Sequence, residues 1–146
     1  MVLRRTDSFG YMVNHLARLF ARALERRIQP YGLSPGQFPV LLALWEREGL
    51  TQAELCRIVQ IEQPTMANTL NRMERDGLIR REPDPNDGRR SLIHLTARAR
   101  DLEEPATAAA RTVNQTAIKG LSEEEQAELR RLIGVMIVNL ERDSGL

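Results

Sequence analysis

The sequence predicts a mainly α-helical fold of the α+β kind with one β-hairpin, and three observations carry that prediction. Apolar residues recur at helical spacing over most of the 146 residues. Two short helical patterns, one opening at Thr51 and one at Pro64, leave room for only a sharp turn at Val59-Gln60-Ile61. Two strand-like stretches, 78–82 and 90–95, flank Pro83-Asp84-Pro85-Asn86-Asp87-Gly88, a run of turn formers.

In chain order, residues 7–29 read as a long helix capped by Asp7 or Ser8. Met12, Val13, Leu16, Leu19, Phe20, Ala23, Leu24 and Ile28 give it a broad apolar stripe, and Pro30-Tyr31-Gly32 ends it. Ser34-Pro35-Gly36-Gln37 has the form of a capping box, with Val40, Leu41, Leu44 and Trp45 following at core spacing. Pro39 predicts an irregular first turn for that helix. Thr51 and Glu54 form another capping box, and Leu55, Ile58 and Val59 give the next helix its buried side.

Pro64 suits the first turn of the helix after that, where a missing N–H costs nothing. Met66, Thr69, Leu70 and Met73 are expected to point inward, and Gly77 to supply the left-handed cap. The face left outward holds Gln63, Thr65, Asn68, Asn71, Arg72 and Arg75, all hydrogen-bond donors and none a carboxylate. Such a face suits phosphates and base edges in a major groove. A hairpin placed directly after such a helix pair, with Arg89 and Arg90 beside its tip, makes a winged helix-turn-helix. An arginine at that tip suits a minor groove, where negative potential favours it.

Residues 96–119 read as a further helix, kinked or divided by Pro105 and stopped by Gly120. Ser122 and Glu125 cap the last helix, whose apolar positions are Leu129, Leu132, Ile133, Met136, Ile137 and Leu140. Each terminal helix carries more apolar surface than a lone winged module can bury. Within one chain they have only each other to pack on.

The chain is long enough for one domain with a real core, and 42% hydrophobic with 28% charged residues is ordinary for a globular protein. No apolar run approaches the roughly 18–20 residues of a membrane span. Arginines interrupt the N-terminal stretch and no small-residue cleavage site follows it, so it reads poorly as a signal peptide. One cysteine excludes an internal disulfide framework, and a cytoplasmic location is expected. A net charge of +1 by itself says nothing for nucleic acid, but its distribution is uneven. Residues 1–50 carry +3, residues 51–100 carry +2 and the remainder −4, so the acidic end should face away from a polyanion.

Three stretches resemble the MarR family of bacterial transcriptional regulators: PYGLSPGQFPVLLAL at 30–44, TQAELCRIVQIEQPTMANTLNRMERDGLIRRE at 51–82 and DPNDGRRSLIHLT at 84–96. The family's wing signature, an Asp, one variable residue and an Arg, with the Asp nine residues before a helix-opening Thr, is matched by Asp87, Gly88, Arg89 and Thr96. Two residues depart from the pattern: Gln60, where such turns often use Gly, and Gly88 near the wing tip. The resemblance implies a single domain, 1–146, in which 35–96 is a DNA-binding lobe and 1–34 with 97–146 interdigitate with a second subunit. It implies a repressor of a pseudo-palindromic operator, each recognition helix reading one half-site about 34–36 Å from the other. Gln63, Pro64, Thr65, Asn68 and Arg72 would contact the major groove, with Thr65 and Asn68 on bases and Arg72 on phosphate. Arg89 and Arg90 would contact DNA from the wing, with Asp87 orienting Arg89. Many members release DNA on binding a small aromatic or phenolic effector, for which Tyr11, His15, Phe38 and Trp45 are the candidate lining; each also fits a core role.

Other functions find little support. His15 and His94 lie far apart, with no Gly-rich phosphate loop, no Ser/His/Asp spacing and no paired carboxylate in a pocket-like context, so catalysis is not expected. One Cys and two dispersed His make no zinc site, and no cofactor is implied. Cys56 invites a redox-sensor reading, but its position, in the first helix of the helix-turn-helix, calls for a small residue where two helices meet. The alternative from a different class is a helical dimer that serves as a protein-interaction module without DNA binding, which the donor-rich face and intact wing argue against.

Overall fold

The computed structural model describes residues 1–145. The chain divides into two compact units, the first Met1–Arg111 and the second beginning at Thr112. In chain order the elements are α1 (Phe9–Ile28), α2 (Phe38–Glu46), α3 (Gln52–Val59), α4 (Gln63–Arg75), β1 (Ile79–Asp84), β2 (Asp87–Leu95), α5 (Ala97–Asp101), α6 (Glu103–Ala117) and α7 (Glu123–Asp143).

Local chemistry sets most of these boundaries. Ser8 caps α1, its hydroxyl accepting from the Tyr11 amide at 3.2 Å. Both halves of the capping boxes Thr51/Glu54 and Ser122/Glu125 are present. The Ser34 box is not. The Gln37 side-chain oxygen Oε1 does accept from the Ser34 amide at 3.2 Å, but residues 35–37 form a turn and α2 opens only at Phe38. Proline is the reason. A helix begun at 35 would need an N–H from Pro39, whereas a start at Phe38 leaves Pro39 in the first turn. At the far end, Pro105 divides the expected 96–119 helix into α5 and α6, leaving Leu102 between them and Pro105 within the first turn of α6.

The core of the first unit is built around the helix-turn-helix. Leu41 and Leu44 of α2, Leu55 of α3, Met66, Leu70 and Met73 of α4, and Ile93 and Leu95 of β2 are all closed off from solvent, joined by Ile28, Leu50 and Leu78. Two expected inward residues turn out differently. Ile58 is 53% exposed, because α3 buries Leu55 and Val59 on one face and Ile58 falls off that face. Thr69 is half-buried, its hydroxyl donating back to the Thr65 carbonyl at 2.9 Å.

The strands pair antiparallel from Ile79↔Leu95 to Pro83↔Ser91, and then the register jumps to Asp84↔Asp87. The hairpin is therefore longer than its sequence suggests, and its turn is only Pro85-Asn86. Gly88, Arg89 and Arg90 occupy a bulge in β2, a device that redirects side chains out of a ladder. Leu50 adds a third backbone pairing: Ile93 exchanges bonds of 2.8 Å with Gly49 and Leu50, anchoring the base of the hairpin beside the start of α3.

The two long helices keep apolar surface in the open. On α1, Leu24 and Ile28 join the core, but Met12, Val13, Leu16 and Leu19 are each about half exposed. On α7, Leu129, Leu132, Ile133, Met136, Ile137 and Leu140 are exposed. No helix among the described residues is long and apolar enough to cross a membrane.

Candidate nucleic-acid interface

The connection from α3 to α4 fixes how α4 is presented. Gln60 closes α3 in the left-handed conformation at φ 59°, where its amide donates to the Cys56 carbonyl at 2.9 Å. It holds that conformation without being glycine, and its side-chain amide donates to the Arg57 carbonyl at 2.7 Å. Cys56 packs half-buried against the core, and burial pushes its thiol pKa up, which makes it a poor nucleophile. At the other end of α4, Gly77 adopts φ 73°, and the Leu78 amide bonds back to the Met73 carbonyl at 2.9 Å, a helix-closing arrangement.

Gln63, Pro64, Thr65, Asn68, Asn71, Arg72 and Arg75 are all exposed on α4. Two of them are tethered. Gln63 accepts through Oε1 from Gln52 Nε2 of α3 at 2.9 Å, and Asn71 accepts through Oδ1 from Arg81 Nη2 of β1 at 2.9 Å. Arg81 also places its Nε 3.8 Å from Glu74, countering the acidic residue that α4 carries beside its basic face.

Asp84 and Asp87 organise the wing. Asp84 is nearly buried, accepting from the Asn86 amide at 2.9 Å and facing Arg90 Nη2 at 3.3 Å. Asp87 accepts from Arg89 three times: backbone N and Nε at 3.1 Å each, and Nη2 at 3.3 Å. Those Arg89 bonds, first the side chain and then the amide, hold the Asp87 carboxyl below its ordinary pKa, with Arg90 adding a smaller attraction. The Arg89 side chain is itself 91% exposed, so its guanidinium projects from the bulge with its direction set by Asp87. Gly88 lies within β2 rather than at the tip, and nothing stands within 4 Å of where a Cβ would sit.

A ring of bonds holds α4 and the wing to the rest of the unit. Gln37 donates to Asp76 at 3.0 Å, and Arg98 donates to the carbonyls of Asp76 (2.7 Å) and Tyr31 (3.1 Å). Glu48 accepts from the Leu95 amide (2.9 Å) and takes a two-pronged bond from Arg100, Nε at 2.8 Å and Nη2 at 2.9 Å. The Arg100 bond, outweighing desolvation, lowers the Glu48 pKa to about 2. His94 lies between Glu48 (3.6 Å) and Glu82 (3.3 Å), and Glu82 is paired with Arg80. His94 is thus a packed strand residue in a charged setting.

The four candidate effector-lining residues form two separate pairs. Tyr11 and His15 meet edge to face at 6.4 Å on α1, with the Arg5 guanidinium 5.9 Å from the Tyr11 ring. Phe38 and Trp45 meet edge to face at 6.0 Å, with Phe38 buried and Trp45 Nε1 donating to the Ala99 carbonyl at 3.0 Å. Among the described residues no ring contact joins one pair to the other.

Gln52, Arg81, Asp84, Glu48 and Arg98 are missing from a reading of the sequence. Each acts across a tertiary gap of 10 residues or more, apart from Asp84, whose turn is local and was hidden by the second Asp of the same loop.

Comparison with known proteins agrees with this geometry. A family model described as the MarR family matches residues 31–90. The transcriptional regulator HosA of Escherichia coli O111:H- is 33% identical over 105 residues, covering 72% of this chain and 78% of that protein. The HTH-type transcriptional repressor Rv2887 of Mycobacterium tuberculosis is 27% identical over 124 residues, 85% of this chain and 89% of that protein. Among solved structures, the S. aureus MepR–DNA complex superposes with a TM-score of 0.85 at 27% identity, over 90% of this chain and 98% of that one.

Proposed function

The chain belongs to the MarR family, a family of transcriptional regulators rather than enzymes, and from that premise we propose that it is a homodimeric repressor of a pseudo-palindromic operator. The observation that carries this reading is the juxtaposition of two surfaces. Gln63, Pro64, Thr65, Asn68 and Arg72 stand exposed along α4, and the adjoining wing projects Arg89 in a direction fixed by Asp87. In the proposed complex, Thr65 and Asn68 read base edges in the major groove, Arg72 and Arg90 contact phosphates, and Arg89 enters the neighbouring minor groove. The likeness to MepR, solved with DNA, and to the repressor Rv2887 supports it.

The dimer rests on the exposed apolar faces of α1 and α7, each of which needs a partner surface. In this reading residues 1–34 and 97–146 make the dimerisation region, 35–96 the DNA-binding lobe, and the protein acts in the cytoplasm, where its DNA is. Release by a small aromatic or phenolic effector belongs to the same proposal. Tyr11 and His15 offer exposed ring surface for it, while Phe38 and Trp45 pack edge to face within the reading lobe.

Fluorescence anisotropy with random duplex at low salt, run beside sedimentation of the free protein, tests the reading. A dimer that binds duplex with an affinity falling steeply as salt rises is expected. A dimer indifferent to DNA would replace the reading with that of a protein-interaction module.

A further inference from the structure

The bond between Gln52 and Gln63 joins the first residue of α3 to the first residue of α4. Both ends of it are held. The Thr51/Glu54 capping box fixes where α3 begins, the left-handed Gln60 fixes the turn, and Pro64 with the buried Met66 fixes the opening turn of α4. A glutamine amide has no preferred face of its own: turned through half a circle, its carbonyl and its NH2 exchange places. In the arrangement seen, Gln52 Nε2 donates to Gln63 Oε1 at 2.9 Å and holds the Gln63 carbonyl toward α3.

We infer that Gln52 is a specificity-determining residue which, by holding the Gln63 carbonyl, sets the base that Gln63 selects. The inference rests on the reading of α4 as a recognition helix and deepens it. Residues at the N-terminal end of such a helix are the ones that reach base edges. With one lone pair of Oε1 taken by Gln52, Gln63 presents both N–H groups outward. Two donors match the two acceptors of guanine, N7 and O6, better than adenine, which offers one acceptor and one donor. An untethered glutamine, turning its amide to suit, pairs bidentately with adenine. Gln52 therefore biases the position away from the base that glutamine by itself would favour.

Two substitutions separate this from a merely structural role. Gln52→Glu turns the position into an acceptor, which draws Gln63 Nε2 toward it and inverts the amide. Glutamate at the first position of α3 also suits that helix terminus, so the variant folds. Gln52→Ala leaves the Gln63 amide free to rotate. The operator is first recovered from a random duplex pool with the wild-type protein, and each base pair of one half-site is then varied symmetrically. Binding of the wild type and both variants is compared as ratios between bases, which cancels the general loss of affinity that an added carboxylate causes. The wild type should prefer guanine at one position per half-site. Gln52→Glu should shift that position toward adenine by about tenfold, and Gln52→Ala, which leaves Gln63 free to pair with adenine, should shift it the same way by a smaller factor of about threefold. Identical base preferences in all three proteins, with operator selection otherwise intact, would overturn the role of Gln52 alone. Failure of the wild type to select any sequence would overturn it together with the recognition-helix reading.

Discussion

Replacing Glu48 with glutamine removes a charge from the junction where the wing meets α5 while keeping the side chain's length. Glu48 accepts from Arg100 twice, at 2.8 and 2.9 Å, and from the Leu95 amide at 2.9 Å. A glutamine oxygen still serves Leu95 but loses the two-pronged charged contact. The carboxyl pKa falls from 4.5 to about 2, which sets a ceiling of about 3.5 kcal/mol on its stabilisation at roughly 1.4 kcal/mol per unit. Glu48 is 28% exposed and Arg100 48% exposed, so solvent screens the pair and about 1–2 kcal/mol per subunit is the expected loss. For a chain of this size that corresponds to about 3–6 °C in Tm near neutral pH. The direction with pH follows from a carboxyl whose folded pKa is depressed. Its stabilisation is complete above the unfolded value of 4.5 and disappears as pH falls through about 2. Thermal unfolding of both proteins, followed by circular dichroism across the acid range, should show the gap closing between those limits. An unchanged Tm near neutrality, or a gap that persists undiminished at the acid limit, would refute the reasoning.

Other substitutions address the reading surface and the turn. Asn68→Ala should relax preference at one base pair per half-site, worth about 1–3 kcal/mol of discrimination, while leaving nonspecific affinity nearly unchanged; equal losses of both would make Asn68 a phosphate contact. Arg89→Ala should lower the salt dependence of operator binding by roughly one counterion per subunit, and Arg89→Lys should recover only part of the affinity, since a lysine lacks the fork that Asp87 holds. Asp87→Ala removes an anion from a DNA-facing surface and should nonetheless weaken binding in titrations at several salt concentrations; a gain in affinity would end its assignment as the orienting residue. Gln60→Gly should leave stability in urea unchanged or raise it by up to about 1 kcal/mol, because φ 59° suits glycine, whereas Gln60→Val should lower it by more than about 1 kcal/mol.

What the sequence revealed and what it hid divide along the range of the interactions. The capping boxes at Thr51 and Ser122, the cap at Gly77 and the break at Pro105 are settled within a few residues, and all are found where the pattern puts them. Ser34 had the same letters as a true box, but Pro39, farther along, decided where α2 could open. Ile58 fits a helical stripe on paper, yet α3 is only 8 residues long and its buried face has room for Leu55 and Val59. The tip of the wing was misplaced because turn formers crowd the whole of 83–88, and only the pairing of Asp84 with Asp87 selects Pro85-Asn86. At the candidate site, the exposed donors of α4 were legible from helix periodicity, and the Asp87–Arg89 bond from the resemblance of the wing to the family's signature. The residues that hold that surface in place were not. Arg81 reaches Asn71, and Gln52 reaches Gln63, only after the hairpin and the two helices have packed.

The central claim, that two copies of α4 and its wing read a symmetric site, is tested most directly by sequencing the fragments that the purified protein retains from a pool of random or genomic duplex. The account predicts an inverted repeat whose half-sites are centred about 10–10.5 base pairs apart, one helical turn, and which is lost from the retained pool when Arg89 and Asn68 are both replaced by alanine. Retained fragments with no shared sequence, or a shared sequence without two-fold symmetry, would contradict it.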